Sequence, residues 1–361
     1  MNSAFDTLIF YPLGEDLPLV GEAKSLNPFV KWVRMPLPFA LNHINLWLIR
    51  DRFNGIDGWT LVDCGIANEA TKEAWELIFK DQLEGMPVVR VIVTHMHPDH
   101  IGLSSWLCKR WNAPLWMTMT DFIFAKWLIS SDGKNVGSLV GGGGAAELFS
   151  RHGLTQQDDL EKIRARSDYF SQMVPELPTR FRRIIDHEAI LIGNHEWQVV
   201  VGYGHAPEHA SLWCKELNLL ISGDMVLPKI STNVSVFDSE PDADPLGLYL
   251  SSLERYLELP KALMVLPSHG KPFQGLHHRI GELKQHHDDR LSETMQFCAN
   301  APAHARDLVP ILFKRELDLH QLTFAMGEAI AHLNYLWRAG HLLREVCSDG
   351  VLRFSCLKSY P

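Results

Sequence analysis

The sequence predicts a layered α/β fold, in which short buried strands alternate with amphipathic helices. Apolar, β-branched runs of strand length recur through the first hundred residues and again from residue 189 onward. Segments with helical spacing, such as residues 70–83, separate some of these runs. Four of the runs end in a small residue followed by a histidine or an aspartate, which is a position typical of active sites.

The composition indicates a globular protein with an ample core. The chain has 361 residues, of which 46% are apolar and 21% are charged. A net charge of −9 argues against a general polyanion binder. The six cysteines are scattered without a Cys-x-x-Cys pair, as in proteins that keep their thiols reduced. Since neither a signal peptide nor a membrane-length apolar run is apparent, we expect a cytoplasmic protein without membrane association.

The first hundred residues are predicted to be rich in strands. The Asn54-Gly55 and Asp57-Gly58 pairs are turn signals between two of them. The predicted elements are strands over residues 32–35, 44–50, 60–63 and 88–93, and helices over residues 70–83 and 101–111.

Residues 118–187 predict a helical insertion. An aromatic, apolar segment over residues 121–130 is followed by glycines at 137 and 141–144 that break the pattern, and then by helical segments over 145–173. The insertion could act as a lid over a site. A plain packing layer explains the same pattern, and the sequence leaves both interpretations open.

The C-terminal part predicts a separate module. Further strands are expected at residues 197–201, 211–214, 219–222 and 263–266, a helix over 271–298, helices within 305–340, and two strands over 344–347 and 351–355. Three helices followed by a hairpin predict a winged helix, so we expect a catalytic domain over 1–275 and a linking helix with a winged helix over 276–361. Residues 301–361 carry seven Lys/Arg and six Asp/Glu. This balance favours a packing or dimerisation element, which leaves a homodimer open, or one wall of the substrate cleft, over a nucleic-acid surface.

Residues 94–102 read Thr-His-Met-His-Pro-Asp-His-Ile-Gly and hold four metal-type side chains within six positions. A histidine-rich surface loop is the alternative, but the buried strand just before the segment argues against it. Such side chains are costly to bury without a cation. His95 and His97 can project to one side of a tight loop and Asp99 and His100 to the other, a geometry that suits two metal ions.

The later strand ends supply the missing partners. His205 can complete a three-nitrogen site with His95 and His97, and His269 can complete a second site with Asp99 and His100. Asp224 is placed to bridge the two ions through its two carboxylate oxygens. Imidazole and carboxylate ligands without sulfur suit zinc, so we expect two Zn²⁺ per chain, with iron or manganese as alternatives.

These motifs resemble those of the metallo-β-lactamase-fold hydrolases. The resemblance rests on Thr94-His95-x-His97-x-Asp99-His100-x-Gly102, Gly204-His205, Ser222-Gly223-Asp224, Ser268-His269-Gly270 and Val62-Asp63-Cys64-Gly65, in the correct order over about residues 30–275. It implies an αββα sandwich with a dinuclear site at one edge. The C-terminal part resembles a lactamase-B-like branch with a winged-helix tail, and the metal site resembles that of glyoxalase II.

The resemblance also implies residue roles and a reaction. A hydroxide held between the ions would attack a carbonyl carbon or phosphorus. Asp99 would orient that hydroxide, and Asp63 and His209 would support the ligands from behind. Enzymes of this fold that open β-lactams usually lack a bridging aspartate, so Asp224 argues against a true β-lactamase.

We expect a hydrolase of thioesters or other small acyl esters and lactones. A phosphodiesterase or endoribonuclease of the same fold is the alternative, and a non-catalytic binding module is a third hypothesis. His43, Trp127 and Arg183 are the candidate substrate contacts. The sequence does not name the substrate, because the fold hosts many reactions.

Overall fold

The structure is a computed structural model that describes residues 9–130 and 141–357, and these fall into two compact units. The described residues of the first unit are 9–129, 171–232 and 252–280. Those of the second unit are 130, 141–170, 233–251 and 281–357. Each unit is therefore assembled from segments that are distant in the chain.

The first unit contains a seven-stranded sheet whose strands lie side by side in chain order. Neighbours are antiparallel from the first strand to the fourth and parallel from the fourth to the seventh. The strands are β1 (Ala23–Ser25), β2 (Val30–Pro36), β3 (His43–Phe53), β4 (Ile56–Val62), β5 (Val88–Ile92), β6 (Leu115–Met117) and β7 (Arg182–Arg183).

A second sheet of five strands belongs to the same unit. Its strands are β8 (Ala189–Ile192), β9 (His195–Gly202), β10 (His209–Cys214), β11 (Leu219–Gly223) and β12 (Met264–Pro267). They lie in the order β12-β11-β10-β9-β8, and only the β11–β12 pair is parallel.

The two sheets share one hydrophobic core. Buried Trp32, Trp47 and Ile92 of the first sheet belong to the same cluster as Trp197 and Leu212 of the second. Alternation along each strand places these side chains on the inner faces. Large, fully buried side chains of this kind supply much of the free energy that holds the sandwich together.

Helices cover the outer faces of the sandwich. The helices of this part of the chain are α1 (Glu69–Asp81), α2 (Pro98–Ile101), α3 (Ser104–Trp111) and α4 (Met119–Ser130). Helix α1 packs on β2, and α3 packs on β5. The Asn68 side chain caps α1 by accepting from the Thr71 N–H. On the second sheet, the Tyr256 hydroxyl at the end of α8 (Pro245–Tyr256) bonds to Ser211 of β10. The layers are therefore α, β, β, α, as predicted.

The second unit contains helices and a two-stranded hairpin. Its elements are α5 (Gly142–Arg151), α6 (Gln157–Arg164), α10 (Ala305–Leu312), α11 (Leu319–Arg338), β13 (Leu342–Val346) and β14 (Leu352–Cys356). Helices α7 (Tyr169–Met173), α8 and α9 (Leu276–Asn300) have residues in both units. In the described part of the chain, no helix combines the length and the hydropathy that crossing a bilayer requires.

Several predicted details differ from the structure. Asp57-Gly58 is not a turn but part of β4, and a side chain at 58 would collide with the Pro87 carbonyl. The glycines at 142–144 begin helix α5, where a Cβ at 144 would meet Asp238, while position 137 lies outside the described residues. The predicted helix over 101–111 is α3, which begins at Ser104, whereas Ile101 is the last residue of the preceding short helix α2.

The predicted insertion over 118–187 is divided between the units. Residues 118–129 and 171–187, which include most of α4 and all of β7, belong to the first unit, and residues 141–170 belong to the second. Local hydrophobic spacing identified the helices there, but it carries no information on which distant segments they pack against.

Candidate metal centre

The predicted ligand residues meet at one edge of the first unit. The loop after β5 carries His95, His97, Asp99 and His100, and the other three follow the second sheet's strands: His205 after β9, Asp224 after β11 and His269 after β12. All seven belong to the first unit, so their arrangement is internal to that unit. The structure thus brings together every residue that the sequence proposed as a ligand.

Three imidazoles form the first group. The distance from His95 Nε2 to His97 Nδ1 is 2.9 Å, from His97 Nδ1 to His205 Nε2 is 3.0 Å, and from His205 Nε2 to His95 Nε2 is 3.2 Å. Nitrogen ligands of one tetrahedral zinc ion lie roughly 3.3 Å apart. The triangle therefore has the size of one face of a metal coordination shell.

The second group contains two imidazoles and two carboxylates. His269 Nε2 lies 3.4 Å from Asp99 Oδ2 and 3.5 Å from Asp224 Oδ1. His100 Nε2 lies 3.7 Å from the same Asp99 oxygen and 3.5 Å from the same Asp224 oxygen. The other Asp224 oxygen, Oδ2, lies 3.3 Å from His205 Nε2 of the first group. One carboxylate therefore faces both groups, one oxygen to each.

Two unpaired buried atoms show that this donor set fits a cation. His100 Nε2 and Asp224 Oδ1 are both buried and have no hydrogen-bond partner among the described residues. They nevertheless lie 3.5 Å from each other, which is too long for a good hydrogen bond. Buried polar atoms are rarely left without a partner. A metal ion between the imidazoles and carboxylates would satisfy both atoms at once.

Asp63 and Thr94 orient two of the histidines from behind. Asp63 accepts hydrogen bonds from the Thr94 N–H, from the Thr94 hydroxyl and, at 2.8 Å, from His100 Nδ1. The Thr94 hydroxyl, which donates to Asp63, can then accept at 3.0 Å from Nδ1 of His95. This chain of donors leaves a lone pair on Nε2 of both rings, pointing toward the site. Asp63 has a φ of 65°, an uncommon conformation for a residue other than glycine and one that is enriched at functional sites.

His43 orients the imidazole of His269, a ligand candidate of the second group. Its backbone carbonyl accepts from His269 Nδ1 at 2.8 Å, and its ring nitrogen Nε2 accepts from the Gly270 N–H at 2.9 Å. The half-buried His43 is thus a positioning residue for the loop after β12. Its predicted contact with substrate stays a prediction.

His209 supports the backbone of Asp224. Its ring is buried, and Nε2 accepts from the Asp224 N–H at 3.0 Å. Gly223 has a φ of 53°, and a Cβ there would lie 2.3 Å from this nitrogen. Glycine at 223 therefore lets His209 approach the backbone that carries Asp224.

The electrostatics of the two groups differ. Burial, reinforced by the neighbouring imidazoles, holds the pKa of His95 well below its usual range and lowers that of His97 to about 3. Burial also acts on His269, but the carboxylates of Asp224 and Asp99 outweigh it and raise the pKa of His269 to about 10. The first group thus favours neutral imidazoles, the form that binds metal, and the second attracts positive charge.

The sequence did not predict a role for Asp121, whose hydrogen bonds hold two of the ligand loops together. This buried residue in the first turn of α4 accepts from the Met96 N–H at 2.8 Å and from the Glu208 N–H at 2.6 Å. Met96 lies between His95 and His97, and Glu208 lies three residues after His205. The only sequence signal was a lone acidic residue at the start of an otherwise apolar helix.

The other two substrate candidates lie on the surface. Trp127 is partly exposed on α4, and Arg183 is exposed at the carboxyl end of β7. The Arg183 side chain has no hydrogen bond or ion pair with the residues that the structure describes. Their predicted roles stay predictions.

Two known protein families match separate parts of the chain. The family described as the metallo-beta-lactamase superfamily matches residues 41–269, which is more than half of the chain and includes all seven ligand candidates. The chain belongs to the metallo-beta-lactamase superfamily. A second family, described as the metallo-beta-lactamase-like C-terminal domain, matches residues 291–357. The superfamily membership agrees with the predicted fold and with a metal-dependent hydrolase.

Individual relatives extend over nearly the whole chain. A beta-lactamase domain protein from Burkholderia ambifaria has a solved structure that is 51% identical, with a TM-score of 0.91 and coverage of 97% of this chain and 98% of that one. A metallo-beta-lactamase family protein from Thermus thermophilus is 26% identical, with a TM-score of 0.75 and coverage of 92% and 100%. The probable metallo-hydrolase YqjP of Bacillus subtilis (strain 168) is 23% identical over 334 residues, which are 84% of this chain and 91% of YqjP.

Proposed function

We propose that the chain is a dinuclear metal-dependent hydrolase of small acyl compounds, with thioesters as the first substrate class and lactones or other acyl esters as the second. The observation that carries the proposal is the position of Asp224, whose two oxygens face two separate groups of ligand-type side chains. A carboxylate in that position suits two ions that share it. The metallo-hydrolase YqjP among the relatives supports the same reaction type.

Two divalent cations, zinc by the chemistry of the donors with iron or manganese as alternatives, would supply Lewis acidity and a water nucleophile at neutral pH. The side chains of the protein would hold these ions in place. One ion would be held by His95, His97 and His205 and the other by Asp99, His100 and His269, with Asp224 on both.

Asp99 is the carboxylate best placed to act on the nucleophile. Its side chain is 19% exposed, compared with 10% for Asp224. Oδ2 faces His269 and His100, which leaves Oδ1 to accept a hydrogen bond from an attacking water. Burial raises the pKa of Asp99, but His100 and His269 outweigh that effect and lower it to about 2, so the group is ionised. It can therefore orient the water through an accepting oxygen.

The exposed face of α4 is apolar, and we propose that it binds the acyl chain of the substrate. Met119, Ile123 and Trp127 recur at helical spacing on the exposed face of α4, with exposures of 45%, 51% and 38%. The first turn of the same helix is fastened to the ligand loops by Asp121. An apolar surface suits an acyl chain better than a nucleic-acid backbone.

The second unit has the element order that we interpret as a winged helix. Helices α9, α10 and α11 are followed by the β13–β14 hairpin, and α11 packs on both α10 and β13. We propose that this module serves packing or homodimerisation. Light scattering of the purified chain should give twice the monomer mass of 41.0 kDa, and a monomer at micromolar concentration would leave only the packing role.

A substrate panel tests the proposed activity. Metal-loaded protein would be assayed with an acyl-CoA, an acyl-glutathione, a homoserine lactone and bis(4-nitrophenyl) phosphate. We expect the two thioesters, acyl-CoA and acyl-glutathione, to be hydrolysed at the highest rates. Turnover of the phosphodiester at far higher rates would overturn this order and support the phosphodiesterase or endoribonuclease alternative.

A matched pair of variants connects the activity to the site. Asp224→Asn should lower kcat/KM by more than about a hundredfold and reduce the bound metal, because the amide cannot place a negatively charged oxygen toward each group. Asp288→Asn removes the same charge from an exposed position on α9 and should leave both unchanged. Full activity of Asp224→Asn would contradict the bridging role.

A further inference from the structure

A small polar cavity lies within the second unit, away from the residues of the metal centre. It has a volume of about 110 Å³. Three separate segments line it: the end of α5, the segment before α8, and the β13–β14 hairpin. Its polar lining consists of Arg151, His152, Asp242 and Arg344, and its apolar lining includes Leu148 and Leu352.

Positive charge exceeds negative charge around this cavity. Arg344 Nη1 donates to Asp242 Oδ1 at 2.6 Å, and Arg338 donates to the Asp242 carbonyl at 3.0 Å. Arg151 has no hydrogen-bond or ion-pair partner in the described ranges 9–130 and 141–357. The hydrogen bond from Arg344, together with the charges of Arg151 and Arg338, lowers the pKa of Asp242. The lining thus holds two guanidinium groups and one carboxylate, an excess of one positive charge, with the Arg338 guanidinium nearby on the Asp242 carbonyl.

The Arg344 guanidinium is held in place before any ligand binds. The Arg344 guanidinium carbon lies 3.6 Å from the centre of the Trp337 ring, so it is stacked on one face and tied to Asp242 at its edge. A planar guanidinium held in this way presents its remaining N–H groups in one direction, which suits an oxyanion.

His152 supplies an unsatisfied buried group in the same cavity wall. Its side chain is 1% exposed. Nδ1 is fully buried, and neither ring nitrogen has a hydrogen-bond partner among the described residues. Burial, with the charges of Arg344 and Arg151, lowers its pKa to about 3, so the ring is neutral and carries one N–H. Buried polar groups without partners are uncommon and indicate a ligand or water at that position.

We propose that this cavity is a phosphate-binding site, for the free monohydrogen ion or for the end group of a phosphomonoester. Arg151, Arg344 and His152 would donate to its oxygens, and Asp242 would accept from the P–OH of the monohydrogen ion or of the singly ionised phosphomonoester. The volume accommodates a group of about five heavy atoms, given that one water needs roughly 10–15 Å³ on the same measure. Sulfate carries no proton at neutral pH, so it would place an oxygen against the Asp242 carboxylate and bind more weakly.

Titration calorimetry on the full, metal-loaded chain tests the proposal. Sodium phosphate, methyl phosphate and sodium sulfate would be titrated at constant ionic strength and at a pH of about 6, where a large fraction of the methyl phosphate keeps its P–OH. We expect saturable binding of phosphate, and binding of sulfate at least tenfold weaker. Methyl phosphate that binds as tightly as phosphate would identify an end-group site, and weaker methyl phosphate binding would identify a site for the free ion. Absence of saturable phosphate binding, or equal binding of sulfate, would overturn the assignment.

Three variants attribute the binding to the cavity. Arg151→Gln should weaken phosphate binding about tenfold or more, because a charged donor is lost from an exposed position that no described contact requires. Arg164→Gln removes the same charge from exposed α6 in the same unit and should bind as the unchanged chain does. Asp242→Asn should reduce the preference for phosphate over sulfate. Phosphate held at the metal centre would be insensitive to Arg151→Gln, and that result would refute the cavity site.

Discussion

Three of the ligand-type histidines, His95, His100 and His269, are each oriented by a hydrogen bond through Nδ1, the ring nitrogen that does not face the site. Asp63 accepts from His100, the Thr94 hydroxyl connects His95 to Asp63, and the His43 carbonyl accepts from His269. Such bonds fix the tautomer and angle of a metal ligand, and their loss typically weakens metal binding by 10- to 100-fold. Substitution of a supporting residue should therefore change the metal affinity measurably.

Thr94→Val isolates this effect. Valine keeps the shape of threonine but removes the hydroxyl between His95 and Asp63, so zinc affinity should fall about 10- to 100-fold. Thr94→Ser retains the hydroxyl and should stay within a few-fold of the unchanged protein. Competition with a chromophoric chelator measures both values. Zinc affinity in Thr94→Val that equals that of Thr94→Ser would show that the hydroxyl does not orient His95.

Helix α4 is the element that connects the ligand loops to an apolar surface. Its buried side holds Asp121 against two backbone N–H groups, and its exposed side carries Met119, Ile123 and Trp127. The bonded residues Met96 and Glu208 are 25 and 87 positions from Asp121 in the chain. The helix thus fixes two loops that the sequence places far apart.

Asp121→Asn should loosen both loops. The amide oxygen can accept from one N–H, but its NH₂ group would face the other N–H, leaving a buried donor unpaired. We expect a loss of about 1–3 kcal/mol in the free energy of unfolding, with weaker zinc binding. Urea unfolding measures the first effect, with Asp81→Asn on the exposed end of α1 as the control. Equal stability of the two variants would show that the hydrogen bonds of Asp121 to the two loops do not stabilise the fold.

Helix α11 buries a titratable group that makes the second unit sensitive to pH. Burial raises the pKa of Glu328 to about 7, although Arg290 and a hydrogen bond with Asn233 oppose the shift. The folded chain therefore keeps a proton there that the unfolded chain, with a pKa near 4.5, has already released. More protons are bound in the folded state between these two values, so this residue makes stability fall as pH rises from about 4.5 to about 7.

Glu328→Gln should remove this pH dependence. At pH 8 the variant should unfold with a free energy roughly 1–3 kcal/mol higher, because no charge is buried. At pH 4.5 the two proteins should differ little, and Glu316→Gln at an exposed position should match the unchanged protein throughout. Urea titrations at several pH values test this. A variant that is less stable at pH 8 would show that the carboxylate is stabilised in the folded state.

For the molecule as a whole, the sequence predicted the parts that depend on local patterns. The β-branched run before His95 and the repeated strand-then-ligand order specified the sandwich strands and the ligand residues, because a strand end and a metal ligand each have a local signature. Asp121, the conformation of Asp63 and the division of the insertion between two units were not predictable. They depend on contacts between segments far apart in the chain, for which spacing carries no signal.

The distribution of the site over the chain explains why the seven ligand candidates need a folded first unit. They come from four separate strand ends, between residues 95 and 269. Bound metal should therefore stabilise the folded state only, and removal by a chelator should lower the Tm of the whole transition of that unit.

Anomalous diffraction from crystals of the zinc-loaded protein, measured above and below the zinc absorption edge, tests the dinuclear centre most directly. We predict two peaks roughly 3.5–4 Å apart, one beside His95, His97 and His205 and the other beside Asp99, His100 and His269, with one Asp224 oxygen directed at each. A single peak at full occupancy, or two peaks without Asp224 between them, would contradict the bridged dinuclear site.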